Sequence, residues 1–192
     1  MQIKNYNYSE NNISMVVVDP NGYVWMGFQR DASEKCALQK VSANNPLQKY
    51  YDIDIAILEI KKGYIFSDYI YLAFSDSSLI GRRYSLLNPL TTYTDFSLPL
   101  GIIEAPIDVL AYGSYVYFLI PGDISGTNSK ICVFTLNGTF SEIIDLSTVT
   151  NAKSFTVSSV TGDLWIVTNK PNAEYIRVNQ ISGGSWIYTI NT

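Results

Sequence analysis

The sequence predicts an all-β chain of four similar units, each with four antiparallel strands, and three observations predict it. The first is a repeat. Four aromatic anchors, Trp25, Tyr71, Tyr117 and Trp165, follow one another at spacings of 46, 46 and 48 residues. Each follows Val, Ile, Val or Leu and precedes Met, Leu, Phe or Ile. The second is a turn landmark at the same period. Asn45-Pro46, Asn88-Pro89, Asn137-Gly138 and Gly183-Gly184 are spaced by 43, 49 and 46 residues, and dipeptides of this kind mark turns. The third is a gradient inside each unit: the second strand is apolar at nearly every position, whereas the third and fourth are mixed or polar. A period of about 40–50 residues belongs to propeller blades or to helical arrays. Period-two patterns and dense turns exclude the helical arrays. Radially stacked sheets bury their inner strands on both faces and leave the outer strand in water, so the predicted architecture is a β-propeller of four four-stranded blades. A β-sandwich is the alternative. Its strands carry one apolar face each, and the second strand of every unit argues against it.

The strands follow in order. Unit one gives SMVVVD, YVWMGFQ, CALQKVSA and QKYYDID, with the Asp19-Pro20-Asn21-Gly22 turn joining the first two. Unit two gives KKGYIFS, YIYLAFSD, RRYSLLN and TYTDFSL. Unit three gives IDVLAYG, YVYFLIP, KICVFTL and FSEIIDL, and unit four SFTVSS, LWIVTN, EYIRVNQ and SWIYTIN. Gly, Asn, Asp or Ser lies between the first two strands of each unit, as tight hairpins require. The expected organisation is one propeller domain over 1–192. It has an N-terminal strand or arm over 1–12, blade 1 over 13–54, blade 2 over 55–100, blade 3 over 101–148 and blade 4 over 149–192. Four blades close a small propeller, or two chains share an eight-bladed ring. The surplus N-terminal strand extends blade 4 or pairs with a neighbouring subunit.

Composition supports a folded chain and narrows its partners. Hydrophobic residues are 47% and charged residues 16% of the 192, which is not a disordered composition. Fifteen Tyr, eight Phe and three Trp favour strands. A net charge of −4 argues against nucleic acid. Lys61-Lys62 and Arg82-Arg83 read as solvated edges. The polar N-terminus has no apolar signal core, and no run of apolar residues is long enough to span a membrane. The expectation is therefore cytoplasmic synthesis without an export signal and no membrane insertion.

The stretches VVVDPNGYVWMGF and VSSVTGDLWIVT resemble the blade motif of two-component-regulator-type propellers, and SKICVFTLNGTFSEIIDL resembles the outer half of an NHL-type blade. The resemblance covers roughly residues 13 to 191 and implies the propeller architecture without a function. No Trp-Asp signature ends the third strands, so the chain departs from WD-repeat proteins. Cys36 and Cys132 fall on third strands of units one and three, so the disulfide of hemopexin-like propellers is not expected. Free, largely buried thiols are.

Chemistry is sparse. There is no histidine, which removes the commonest general base and metal ligand. Lyase-type propellers with this blade motif use histidine, so the resemblance carries no lyase activity here. Asp52 and Asp54, with Glu104 and Asp108, are placed at blade crossings, where they would line one mouth of a central channel. A calcium site there would need six or more oxygens, and no ligand-loop pattern is present, so no cofactor and no enzyme activity are predicted. The fourth strands carry Tyr50, Tyr51, Tyr93, Phe96, Trp186 and Tyr188 as candidate partner-interface aromatics, since exposed aromatics mark interfaces. Alternation places Tyr50 and Tyr51 on opposite faces. The expected function is a structural or protein-interaction propeller, self-assembling or joining a larger complex, with a bacteriophage virion or tail component as the specific expectation. A carbohydrate-binding propeller is the second reading, because Tyr and Trp also stack on sugars.

Overall fold

The computed structural model describes residues 13–29, 36–45, 48–55, 59–76, 78–122, 127–147, 149–168, 175–180 and 186–191. These form sixteen strands in four antiparallel sheets. Blade 1 is β1 (Ile13–Val18), β2 (Tyr23–Gln29), β3 (Cys36–Ser42) and β4 (Lys49–Ile55). Blade 2 is β5 (Glu59–Phe66), β6 (Tyr69–Ser75), β7 (Leu79–Ser85) and β8 (Tyr93–Ser97). Blade 3 is β9 (Asp108–Tyr112), β10 (Tyr115–Ile120), β11 (Lys130–Thr135) and β12 (Phe140–Asp145). Blade 4 is β13 (Ala152–Val157), β14 (Leu164–Thr168), β15 (Tyr175–Gln180) and β16 (Trp186–Asn191). Within every sheet the strands pair in chain order. No helix occurs among the described residues, and none is long and apolar enough to cross a membrane. The N-terminal segment 1–12, expected as a strand or arm, lies outside the described residues.

Packing gathers the chain into two compact units, residues 1–60 and 61–192. The first contains blade 1. Its Trp25, Leu38, Cys36 and Ile55 are buried together with Ile60, and a Cβ on Gly27 would lie 3.0 Å from Ile60 Cδ1. The second unit explains the doubly dry second strands. In β10, every residue from Val116 to Ile120 is buried. Tyr117 and Leu119 join a core with Phe155, Leu164, Ile166 and Ile176 of blade 4. Val116, Phe118 and Ile120 join another with Tyr71, Ala73, Ile80 and Phe96 of blade 2. One strand thus feeds two cores, and neither of its faces is free to be polar.

Gly81 on β7 marks the tightest point of the second core. A Cβ there would lie 2.3 Å from both Leu72 O and Phe118 Cε1. Gly81→Ala is therefore expected to cost ~1–3 kcal/mol or more through overpacking, read as a lowered urea midpoint with an unchanged slope. A change below a few tenths would show that the contact relaxes freely.

One strand sits earlier than the sequence suggests. β7 covers Leu79–Ser85, whereas the sequence reading places it at RRYSLLN. The Ser85 hydroxyl accepts from the backbone N–H groups of Leu87 (3.2 Å) and Asn88 (3.3 Å), which bends the chain at the point where an apolar pair suggested continuation. Both cysteines are free and buried. Burial pushes the Cys132 thiol up to about 12 and raises that of Cys36, so neither is a ready thiolate.

Candidate functional site

In blade 1 the aromatic residues surround a cation. Trp25 on β2 lies opposite Lys40 on β3, and Lys40 lies opposite Tyr51 on β4. The Lys40 ammonium stands 4.3 Å from the Tyr23 ring centroid, 5.1 Å from Trp25 and 5.9 Å from Tyr51. Asp19 supplies the anion. Its Oδ2 is 3.6 Å from Lys40 Nζ and accepts from Trp25 Nε1 at 3.0 Å. Its Oδ1 accepts from the backbone N–H groups of Asn21 and Tyr23. The turn residue is thus also the counter-ion of a nearly buried lysine.

Tyr50 and Tyr51 do not divide between two faces. The β3–β4 register pairs Lys40 with Tyr51 but Val41 with Lys49, so Tyr50 is the extra residue of a β-bulge. Tyr50 packs edge-on against Tyr23 (4.9 Å) and Tyr51 stacks on Trp25 (6.4 Å). Since Tyr23 and Trp25 are two apart on one strand, both tyrosines are on one side of the sheet. Tyr50 remains exposed and Tyr51 is half-buried.

The other candidate aromatics divide. Tyr93 is exposed, with the Arg82 guanidinium 4.6 Å from its ring and Arg82 paired to Asp95. Phe96 is not an interface residue: it is wholly buried, 5.2 Å from Phe118 and 5.4 Å from Phe134 by ring centroid. It lies opposite Gly81 on the outer strand and faces inward. Trp186 and Tyr188 lie on β16, and their side chains fall outside the described residues.

The candidate carboxylates are placed by the strands and turns of their own units. β4 runs through to Ile55, so Asp52 and Asp54 sit within the outer strand rather than after it. Asp52 accepts from Gln39 Nε2 (3.2 Å) and pairs with Lys49 (3.6 Å). Glu104 accepts from Thr127 Oγ1 at 2.8 Å. Asp108 is buried and ties blade 3 to blade 4, accepting from Ser154 Oγ (2.6 Å) and Phe155 N (3.3 Å). No cluster of three or more Cys, Asp or Glu side chains able to hold a metal occurs among the described residues.

Sequence reasoning missed the column opposite the anchors. Register places Lys40, Arg83, Val133 and Arg177 across from Trp25, Tyr71, Tyr117 and Trp165. Arg83 lies 4.3 Å from the Tyr69 ring. Arg177 lies 5.9 Å from Trp165 and bonds Asp163 (2.7 Å), repeating the Asp19–Lys40–Trp25 arrangement of blade 1. Hydrogen bonds from Thr161 and Arg177 hold the Asp163 carboxyl below its ordinary range, against burial. A cation in the middle of the third strand in three of the four units was the available signal.

An open apolar site lies between the outer parts of blades 2 and 3. A groove of about 450 Å³ is lined by Leu98, Pro99, Leu100, Phe134, Phe140 and Ile143. A turn closed by Ile102 N–H to Pro99 O (3.2 Å), with Gly101 at φ +83°, projects Leu100 fully into solvent. Phe140 is also exposed and stacks edge-on against buried Phe134 at 5.5 Å. Gly138 of the Asn137-Gly138 turn also lines the groove. A Cβ on Gly138, at φ +89°, would come within 2.8 Å of Thr94 Cγ2, so glycine allows this close approach.

No protein-family model matches the chain, and no curated protein matches it. Solved structures do. The β-propeller domain of Cps50 (Swd1) from Myceliophteria thermophila superposes with a TM-score of 0.62 at 7% identity, over 92% of this chain and 57% of its own. A chain of the nidogen/laminin complex gives 0.63 at 13%, over 92% and 64%. The extracellular domain of a B. thetaiotaomicron protein assigned as a one-component system gives 0.63 at 16%, over 95% and 23%. The chain thus spans less than two thirds of each of these neighbours. At such identities the likeness shows the fold alone. The chain is a β-propeller repeat protein with four-stranded antiparallel blades.

Proposed function

We propose that the chain is a non-enzymatic protein-interaction module, a propeller that joins a larger protein assembly, with a bacteriophage virion or tail component as its setting. The observation that carries the interaction reading is the apolar groove between blades 2 and 3 with its exposed rim. Leu100 and Phe140 stand in solvent at a recess whose walls are mostly apolar. Exposed apolar surface beside a recess is characteristic of protein–protein sites. The lack of histidine supports a role without acid–base catalysis. A carbohydrate-binding role is favoured by one observation, the exposed rings of Tyr50 and Tyr93.

Cross-linking mass spectrometry of the tagged chain in its source cells tests the reading. The expected result is a protein cross-linked beside the groove, lost in Leu100→Asp/Phe140→Asp while the melting temperature stays unchanged. The same partners retained by that variant would overturn the groove reading. Glycan-array binding abolished by Tyr50→Ser or Tyr93→Ser would favour the carbohydrate role instead.

A further inference from the structure

The groove between blades 2 and 3 has an aliphatic knob on its own rim. The turn Pro99-Leu100-Gly101-Ile102 is closed by the Ile102 N–H bonding to Pro99 O (3.2 Å). Gly101, third in the turn, has φ +83°, the sign a type II turn needs at that position. Pro99 and Ile102 are buried and anchor the turn in the fold. Leu100 at its tip is fully exposed, and Ile103 just past it is 89% exposed. The backbone that presents Leu100 is therefore already ordered, which lowers the entropy that a contact must supply.

The recess takes a side chain of this kind. Its volume is about 450 Å³, and its walls include Leu98, Phe134, Phe140 and Ile143. A cavity of about 150 Å³ already holds a benzene, so a leucine side chain fits. Leu100 of the same chain belongs to the rim but does not fill the recess, since its whole surface stays in solvent. Knob and recess thus share one patch. A two-fold contact applies one patch to its own copy, and a patch that holds both parts offers each copy what the other lacks. Charge permits this approach. The chain carries a net −4, so two copies repel each other at long range. None of the residues lining the groove is charged, so two such patches meet without like charges facing.

We propose that the groove binds a second copy of this chain about a two-fold axis, Leu100 of each copy entering the groove of the other. This rests on the reading of the groove as a protein-interaction site and names its occupant. All the residues involved lie in the second compact unit, residues 61–192.

Sedimentation velocity of the full chain at micromolar concentration tests it, with a reciprocal pair of variants. The unaltered chain should sediment at about twice 21.5 kDa. Leu100→Lys charges the knob and Phe140→Asp charges the recess, and each alone should sediment as a monomer. Their equimolar mixture should return to the dimer mass, because one of its two contacts is native and the other pairs a lysine with an aspartate. Ser97→Lys, at an exposed rim position, should also give a monomer and does not touch the Phe140 packing. A monomeric unaltered chain, a dimer that survives Leu100→Lys and Ser97→Lys, or a mixture of folded variants that stays monomeric would overturn the proposal. If the unaltered chain is monomeric and Leu100→Asp/Phe140→Asp still loses a cross-linked protein in cells, the second copy is ruled out as occupant while the groove reading stands.

Discussion

Phe96→Ala is expected to destabilise the protein by about 3–5 kcal/mol, the range for truncating a large buried aromatic. The residue sits on the outermost strand of blade 2, where solvent exposure would be the simple expectation, yet none of its surface is accessible. It meets Tyr71 at 6.3 Å, Phe118 at 5.2 Å and Phe134 at 5.4 Å, and such aromatic pairs add ~0.5–1.5 kcal/mol beyond their buried area. Removing the ring opens a cavity beside Gly81, which has no side chain to collapse into it. Against a typical folding stability of roughly 5–15 kcal/mol, the loss is a large share. Urea unfolding measures it, with Phe96→Leu as the milder comparison and Tyr93→Ala as the exposed control. A loss below ~1 kcal/mol for Phe96→Ala, a value typical of surface positions, would return Phe96 to the interface.

Asp19→Ala should be comparably damaging. It removes the acceptor for two backbone N–H groups, the Trp25 indole N–H and the Lys40 ammonium together. Lys40 would then stay nearly buried among Tyr23, Trp25 and Tyr51 without its anion, and breaking a buried pair from one side costs about 3–5 kcal/mol. The Asp19→Ala/Lys40→Met double variant should recover part of that loss, because it leaves no unpaired ammonium. The double-mutant cycle decides the matter: additive costs would mean that Lys40 is held by its rings alone and that Asp19 acts only in the turn.

The blade plan was legible because it is written in columns. Anchors and turn dipeptides recur at one period, and a strand buried on both faces must be apolar at every position, which β10 satisfies from Val116 to Ile120. Details that depend on cross-strand neighbours were not legible. A single bulge at Tyr50 reverses the alternation that separates it from Tyr51, and no local signal announces it. Phe96 carries the composition of an exposed outer strand, but its burial depends on Gly81 and Phe118, which are remote in sequence. Asp108 reads as a crossing carboxylate. Its role as a tie depends on Ser154, 46 positions away. The cations opposite the anchors lay in plain view but become a column only once the register is known. The groove escaped for a similar reason, since Leu100 and Phe140 come from different blades.

The central claim is that the second strand of blade 3 is packed on both faces, by blade 2 on one side and blade 4 on the other. A scan of β10 tests it most directly: Val116→Ala, Tyr117→Ala, Phe118→Ala, Leu119→Ala and Ile120→Ala, each measured by urea unfolding. All five should lower stability, by roughly 1–5 kcal/mol each as buried truncations do, with no alternation along the strand. Losses confined to every other position would mean that one face of β10 meets water, and would contradict it.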